Sequence, residues 1–241
     1  MATLRFANRV DAGRRLARKL TAYAGRSDVI VLGLPRGGVP VAAEVARQLE
    51  APLDVFLVRK LGVPGHPELA MGAIAEGGVD VLDERLIRDL GIPRALVQQV
   101  AMRERLELER RDRTYRGARR RPNVADRTVI VVDDGLATGA SMEAAVVALR
   151  QLGPAAVVAA VPVGALETCT RLRQHADHVV CAETPRDLGA VGLWYDDFTQ
   201  TTDDEVRQLI GAADSGRAHH SSDTRGSADP VVPVGAVRRV R

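Results

Sequence analysis

Lysine, cysteine and aromatic residues are scarce in this 241-residue chain. Lys19 and Lys60 are the only lysines, so arginine supplies nearly all of the positive charge. With a net charge of +3, the pI of about 9.2 reflects a slight excess of arginine and not a strongly basic body. Cys169 and Cys181 stand alone in apolar surroundings, which predicts free buried thiols in a reducing compartment.

Long apolar runs are also absent. No stretch approaches the roughly 18 consecutive apolar residues of a membrane span. The first twenty residues are charged throughout and lack the apolar core of a secretory signal. These absences predict a soluble, cytoplasmic protein that does not act at a membrane. The length suits one sizeable α/β domain, alone or with an appendage.

Short apolar runs alternate with helical patterns along most of the chain. The predicted strands are 28–34, 52–60, 128–134, 155–163 and 177–183, and the predicted helices are 8–24, 39–50, 141–153 and 165–175. The strands are apolar at consecutive positions, which is typical of parallel strands that helices cover on both faces. The sequence therefore predicts an α/β fold with a doubly wound, mainly parallel five-stranded sheet flanked by helices.

Three segments fall outside this alternation. Residues 61–82 hold several glycines and two prolines, which predicts a mobile loop followed by short strands. Residues 83–121 are predicted to be a helical, arginine-rich insertion. Residues 211–241 lose apolar periodicity and have the composition of a flexible tail or linker. The predicted organisation is thus one domain over residues 1–210, followed by that tail.

The most informative segment is 129–142, which reads VIVVDDGLATGASM. A buried strand ends in Asp133 and Asp134, and a turn of small residues then leads into a helix at Ser141. The N–H groups of the turn and of the helix start, with the hydroxyls of Thr138 and Ser141, would form a cradle for one phosphate group. The two carboxylates suit sugar hydroxyls and a metal ion. The segment is not a Walker A loop, because no Gly-Lys-Ser/Thr follows.

This segment resembles the signature of the type I phosphoribosyltransferases, which bind 5-phosphoribosyl-1-pyrophosphate. In element order the resemblance covers about residues 25–200. It implies that Asp133 and Asp134 hold the ribose 2′- and 3′-hydroxyls. It also implies that the turn holds the 5′-phosphate, through Ala137, Thr138, Gly139, Ala140 and Ser141.

Two further segments fit the same family. Arg36 is followed by Gly37 and Gly38 after the first strand, as in the family's pyrophosphate loop, and its planar fork can pair with phosphate oxygens. Lys60 ends the second predicted strand beside Arg59, where family members place a basic residue towards the pyrophosphate. The glycine-rich segment after Lys60 resembles the flexible loop that closes over the family's site and excludes water.

The resemblance implies a reaction as well. Pyrophosphate would leave ribose C1′, with Asp133, Asp134, Arg36 and Lys60 as the catalytic residues and Mg2+ as the cofactor. The metal would be bound mainly through the ligand, with Asp133 or Asp134 nearby. Orientation and neutralisation of charge on the leaving group would be the main tasks of the site.

The acceptor is left open by the sequence. At Ala137 the hypoxanthine-guanine members carry an acid close to the purine, whereas the adenine members do not. Residues 183–200 would form the hood over the base, and their aromatic residues Trp194, Tyr195 and Phe198 would either stack on the base or pack beneath the hood. Neither observation identifies the base.

The arginine-rich helix raises a second class of function. Several of its acidic residues stand four positions before an arginine, as in Glu107–Arg111, and this pattern indicates a solvated helix. The cluster Arg116, Arg119, Arg120 and Arg121 is predicted to be an anion patch without acidic partners. A regulator that senses the same ligand and binds nucleic acid therefore stays open beside the transferase, as does a homodimer. A two-component receiver domain is set aside, because the first predicted strand does not end in acids.

Overall fold

The computed structural model describes residues 5–220, and the side chains of all of these except 67, 68 and 214–220. Its centre is a parallel five-stranded sheet in the order β2-β1-β6-β7-β8. The strands are β1 (Val29–Gly33), β2 (Leu53–Val55), β6 (Thr128–Val132), β7 (Ala156–Val163) and β8 (His178–Glu183). The predicted doubly wound α/β architecture is confirmed.

Helices cover both faces of this sheet because its strands are apolar on both sides. On one face α1 (Arg9–Ala17) and α2 (Gly38–Leu49) bury Leu16 and Val41 against Val31 and Ile130. On the other face α5 (Ala140–Gln151) buries Val146 and α6 (Leu166–Leu172) buries Leu172, in one apolar cluster with Val129. The predicted helix over 8–24 is wrong in its extent, since α1 ends at Ala17 and only a 3₁₀ turn at Thr21–Tyr23 follows.

A second, antiparallel sheet occupies the segment that was predicted to be a mobile loop followed by short strands. It consists of β3 (Val58–Val63), β4 (His66–Ala75) and β5 (Val79–Leu82). The prediction of one strand over 52–60 is also wrong, because β2 ends at Val55 and the chain changes sheets before Val58. Arg59 and Lys60 therefore lie on β3, outside the central sheet. Periodicity could not reveal the change, because the apolar pattern continues from one strand into the next.

The predicted helical insertion over 83–121 contains α3 (Glu84–Asp89) and α4 (Arg94–Arg116). Gly117 ends α4 with a positive φ of 57°, a conformation that favours glycine. The apolar face of α4 packs on the second sheet and on α7 through Val97, Leu108 and Tyr115.

The last described helix is α7 (Asp203–His220), which crosses the predicted boundary at residue 210. Residues 211–220 of the predicted tail are therefore helical, and Ala213 packs on the apolar layer beside α2. Residues 221–241 lie outside the described residues. Within 5–220, no helix combines the length and apolarity that crossing a bilayer would require.

The prediction that this arginine patch lacks acidic partners is wrong for Arg116 and for Arg121. Arg116 is 3% exposed and bonds to Asp54, Glu76 and Asp112, while Arg121 also pairs with Asp112. The arginines of the 83–121 segment therefore include a core residue, which the spacing of charges along the helix did not reveal.

Candidate functional site

Two loops meet where the strand order of the central sheet reverses. The chain leaves β1 towards β2 on one side, whereas β6 pairs with β1 on the other. In open α/β sheets the crevice at such a point, beyond the carboxyl ends of the strands, is where ligands bind. The loop after β1 spans residues 34–37 and leads into α2 at Gly38, and the loop after β6 begins with Asp133 and Asp134. The structure thus brings together the two segments that carried the prediction.

Glycine is required at the contact between these loops. A Cβ atom on Gly37 would lie 2.0 Å from Oδ2 of Asp134. A Cβ atom on Gly38 would lie 2.5 Å from the carbonyl oxygen of Val132 and 2.8 Å from Cα of Asp133. The peptide bond between Pro35 and Arg36, just before this contact, is cis. The two glycines therefore let the loop after β1 lie directly against the acids that end β6.

Asp134 is held from two directions. Arg9 of α1 donates to its Oδ2 through Nε at 2.9 Å and approaches the same atom through a second nitrogen at 2.8 Å. The hydroxyl of Tyr195 donates to its backbone carbonyl at 2.6 Å. Burial raises the pKa of Asp134, while the Arg9 guanidinium acts against that rise. This carboxylate is therefore fixed in place before any ligand arrives.

Asp133 has no such cation at hydrogen-bonding distance among the described residues. Its Oδ1 accepts the N–H of Asp134 at 2.9 Å, and the residue lines a cavity at the end of the sheet. Burial, and secondarily the neighbouring Asp134 carboxylate, raise the pKa of Asp133. The pKa of an aspartate in the unfolded chain is about 3.9. Because the pKa of Asp133 is higher in the folded protein, this group increasingly destabilises the fold as pH rises from the unfolded-state pKa to the folded-state pKa.

Replacement of Asp133 alone should therefore stabilise the ligand-free protein. We expect Asp133→Asn to raise Tm by about 2–4 °C at about pH 8, because asparagine removes a partly buried charge yet keeps an oxygen for the Asp134 N–H. The gain should shrink towards about pH 5, where the native carboxyl is itself protonated. Thermal melts at the two pH values measure this, with the exposed Asp204→Asn as control. An unchanged or lowered Tm at the higher pH would contradict the assignment.

The turn over 135–139 is shaped by its neighbours. Gly139 precedes α5 with a φ of 78°, and a Cβ atom there would lie 2.5 Å from the Thr168 side chain. From α6, Thr168 donates to the carbonyl of Ala137 at 2.7 Å and Arg171 donates to the carbonyl of Thr138. Within residues 5–220, the N–H groups of Ala137, Thr138 and Gly139 have no acceptor in the protein. With the carbonyls engaged, these donors are left for an anion at the helix start.

A cavity of about 310 Å³ adjoins these elements. Asp133 and Ser141 line one side, and the other side consists of residues 56–60 and α4. Lys60 and Arg59 both line it, although Arg59 is also bound to Glu104 at 2.9 Å. Thus Asp133, Ser141 and Lys60 share one cavity, even though Lys60 belongs to the second sheet.

Arg36 lies at the side of this region and is about one-third exposed. Its nearest acidic partner is Asp203, the first residue of α7, at 3.7 Å. The same Asp203 oxygen accepts the hydroxyl of Tyr115 at 2.8 Å. Arg36 is therefore oriented by a weak ion pair at the surface, which a more highly charged anion could replace.

Sequence reasoning missed Arg9 and the role of Tyr195. Tyr195 is 3% exposed and packs against Phe6 and Phe198, with ring centroids 5.4 and 4.9 Å away. Val191 of the same segment lies against Gly135, where a Cβ atom would be 2.3 Å from its side chain. Arg9 gave no signal in the sequence, because it is one of many arginines in the N-terminal helix.

The fold is a doubly wound α/β domain whose two acids and glycine-rich turn meet at the sheet reversal, and comparisons with known proteins identify its family. The model of the phosphoribosyl transferase domain family matches residues 4–70 and 68–197. A protein of Mycobacterium tuberculosis named "Putative phosphoribosyl transferase" is 47% identical over 224 residues, which cover 93% of this chain and 49% of that protein. The crystal structure of TT1426 from Thermus thermophilus is 46% identical, with a TM-score of 0.78, and covers 86% of this chain and 97% of the other.

The chain belongs to the phosphoribosyl transferase domain family. It spans about half the length of the curated relatives it matches. The family resemblance drawn from residues 129–142 is thereby confirmed.

Proposed function

We propose that the chain is a phosphoribosyltransferase that binds 5-phosphoribosyl-1-pyrophosphate with Mg2+. It transfers the phosphoribosyl group to an acceptor, a nitrogenous base, and releases pyrophosphate. The observation that supports this best is the meeting of the two loops at the sheet reversal. There the glycines after β1 lie against Asp133 and Asp134, next to a turn with unpaired N–H groups.

Each part of the ligand has a matching group in this arrangement. Asp133 and Asp134 accept hydrogen bonds from the ribose hydroxyls. The 5′-phosphate occupies the cradle made by the N–H groups at 137–141 and the hydroxyls of Thr138 and Ser141. The pyrophosphate extends towards Gly37–Gly38, Arg36 and Lys60, where cations stabilise the charge that develops as it leaves.

The donor set also fits Mg2+, which prefers oxygen ligands and commonly binds through one or two carboxylates plus phosphates and water. Asp133 and Asp134 supply carboxylate oxygens, and no cluster of three or more protein ligands occurs among the described residues. Ligand oxygens would therefore complete the coordination. Mg2+ so bound neutralises charge on the leaving group.

The direct test is the release of pyrophosphate from 5-phosphoribosyl-1-pyrophosphate and Mg2+ across a panel of purine, pyrimidine and pyridine bases. We expect release that depends on one acceptor class. Binding of 5-phosphoribosyl-1-pyrophosphate without release of pyrophosphate for any base would instead favour the second class of function, a regulator that senses this ligand and binds nucleic acid. Salt-dependent RNA or DNA binding would then distinguish that class.

Arg36 offers a prediction about the position of the leaving group. Arg36→Ala should lower the affinity for 5-phosphoribosyl-1-pyrophosphate by about tenfold or more, because one charge-assisted hydrogen bond to the pyrophosphate is lost. Ribose 5-phosphate, which lacks the pyrophosphate, should bind as before. Calorimetry with both ligands measures the contrast, and the exposed Arg47→Ala serves as control. Equal losses for the two ligands would place Arg36 away from the pyrophosphate.

A further inference from the structure

A cation from outside the family's motifs lies in the site. Arg111 of α4 lines the cavity that Asp133, Ser141 and Lys60 also line. Its side chain is 31% exposed, which places the guanidinium at an accessible surface. The arginine-rich helix, whose role the sequence left open, thus contributes one arginine to the cavity and others to solvent.

The charge of Arg111 is incompletely neutralised by the protein. Its Nε donates to Glu107 at 2.8 Å, but the same carboxylate also accepts two hydrogen bonds from Arg110, at 2.7 and 3.0 Å. These two hydrogen-bonding arginines hold the pKa of Glu107 at about 2, so its charge is fixed at −1 near neutral pH. One carboxylate against two guanidiniums leaves an excess of one positive charge beside the cavity.

Arg111 also lies close to the pyrophosphate loop. Arg36 pairs with Asp203, and Tyr115 donates to that same carboxylate. Both Arg36 and Arg111 act electrostatically on the Tyr115 hydroxyl, one turn of α4 beyond Arg111. The two guanidiniums therefore both lie near the Tyr115 hydroxyl, and Lys60 of β3 lines the same cavity as Arg111.

We propose that Arg111 is an additional pyrophosphate-binding residue, supplied by α4, which binds the leaving group together with Arg36 and Lys60. The proposal rests on the proposed function for the identity of the anion. A planar guanidinium binds two phosphate oxygens at once, and the excess positive charge of the Glu107 triad supplies the attraction. The helix thereby acts as a wall of the site.

The matched control is Arg110, which shares Glu107 but does not line the cavity. We expect Arg111→Ala to lower the affinity for inorganic pyrophosphate with Mg2+ by about tenfold or more. The affinity for ribose 5-phosphate should change by less than about twofold. Arg111→Lys should recover part of the affinity, because it restores charge without the fork. Arg110→Ala removes the same charge but no residue of the cavity wall, so it should weaken the binding of pyrophosphate by clearly less than Arg111→Ala does and leave the binding of ribose 5-phosphate unchanged. Titration calorimetry on the full chain gives all of these values, and thermal melts show that the variants are folded.

The outcomes separate this inference from the proposed function. The role of Arg111 is overturned if the wild-type protein and Arg111→Ala bind pyrophosphate equally well. It is also overturned if Arg110→Ala loses as much affinity for pyrophosphate as Arg111→Ala does. Failure of the unchanged protein to bind pyrophosphate overturns it as well. If pyrophosphate binding falls as expected but ribose 5-phosphate does not bind the unchanged protein, Arg111 stands as an anion-binding residue and the proposed sugar-phosphate site fails.

Discussion

The double variant Asp133→Asn with Asp134→Asn should lose binding of 5-phosphoribosyl-1-pyrophosphate by about a hundredfold or more. Two charge-assisted hydrogen bonds to the ribose are removed together, and each contributes about a factor of ten or more. The ion pair of Arg9 with Asp134, at 2.8 Å, is lost as well. Thermal shift with ligand and Mg2+ measures the effect, since a ligand that binds only the folded state raises Tm.

The control for this variant must change charge by the same amount. Asp89→Asn with Asp204→Asn does so at side chains that are 64% and 71% exposed. This pair should keep the ligand-induced shift in Tm. The assignment of the two acids to the ribose would be contradicted if ligand raised the Tm of the Asp133→Asn, Asp134→Asn variant as much as that of the wild-type protein. It would also be contradicted if millimolar ligand did not raise the Tm of the wild-type protein.

Arg116→Ala should lower the free energy of unfolding by about 3–5 kcal/mol, because it leaves buried carboxylates without their cation. The Arg116 side chain is 1% exposed and its partners Asp54 and Glu76 are 7% and 6% exposed. The network also supports the cavity, since Arg116 donates to the Val55 carbonyl and Glu76 accepts from the Leu57 N–H. Denaturant unfolding measures the loss, with the exposed Arg113→Ala as control.

The pH dependence of that loss identifies its cause. Burial raises the pKa of Asp54 and of Glu76 even with Arg116 present, and removal of the cation raises both further. Acids with raised folded-state pKa values destabilise the fold as pH rises, so the deficit should be smaller at about pH 5 than at about pH 7.5. A deficit independent of pH would indicate lost packing of the arginine stem instead.

The central sheet and the acid-turn segment were predictable because both depend on local patterns. Five apolar runs indicated the parallel strands, and residues 129–142 read directly as strand, acids, turn and helix start. The location of Lys60 was not local information. The chain leaves the central sheet between Val55 and Val58 without any break in apolar character, so only the tertiary pairing of β3 with β4 assigns Lys60 to its sheet.

Arginine was the residue that sequence reasoning handled least well. Arg9, Arg111 and Arg116 occupy the site, the cavity wall and the core respectively, yet each occurs among neighbouring arginines on a helix. A guanidinium on a long stem can pair with an acid far away in the sequence, and helical spacing reports only the pairs within one helix. The burial of Arg116 follows from Asp54 and Glu76, which lie 62 and 40 positions away.

The contacts of Arg9 also bear on how the protein is made. Its hydrogen bonds reach 125 positions to Asp134 and 190 positions to the Thr199 carbonyl. During translation, α1 leaves the ribosome before β6 and before the segment around Thr199, so Arg9 cannot form these bonds until both have followed. Contacts of such long sequence separation form late in folding. A nascent chain that already contains both acids therefore gains a finished ribose site only when nearly the whole domain has been synthesised.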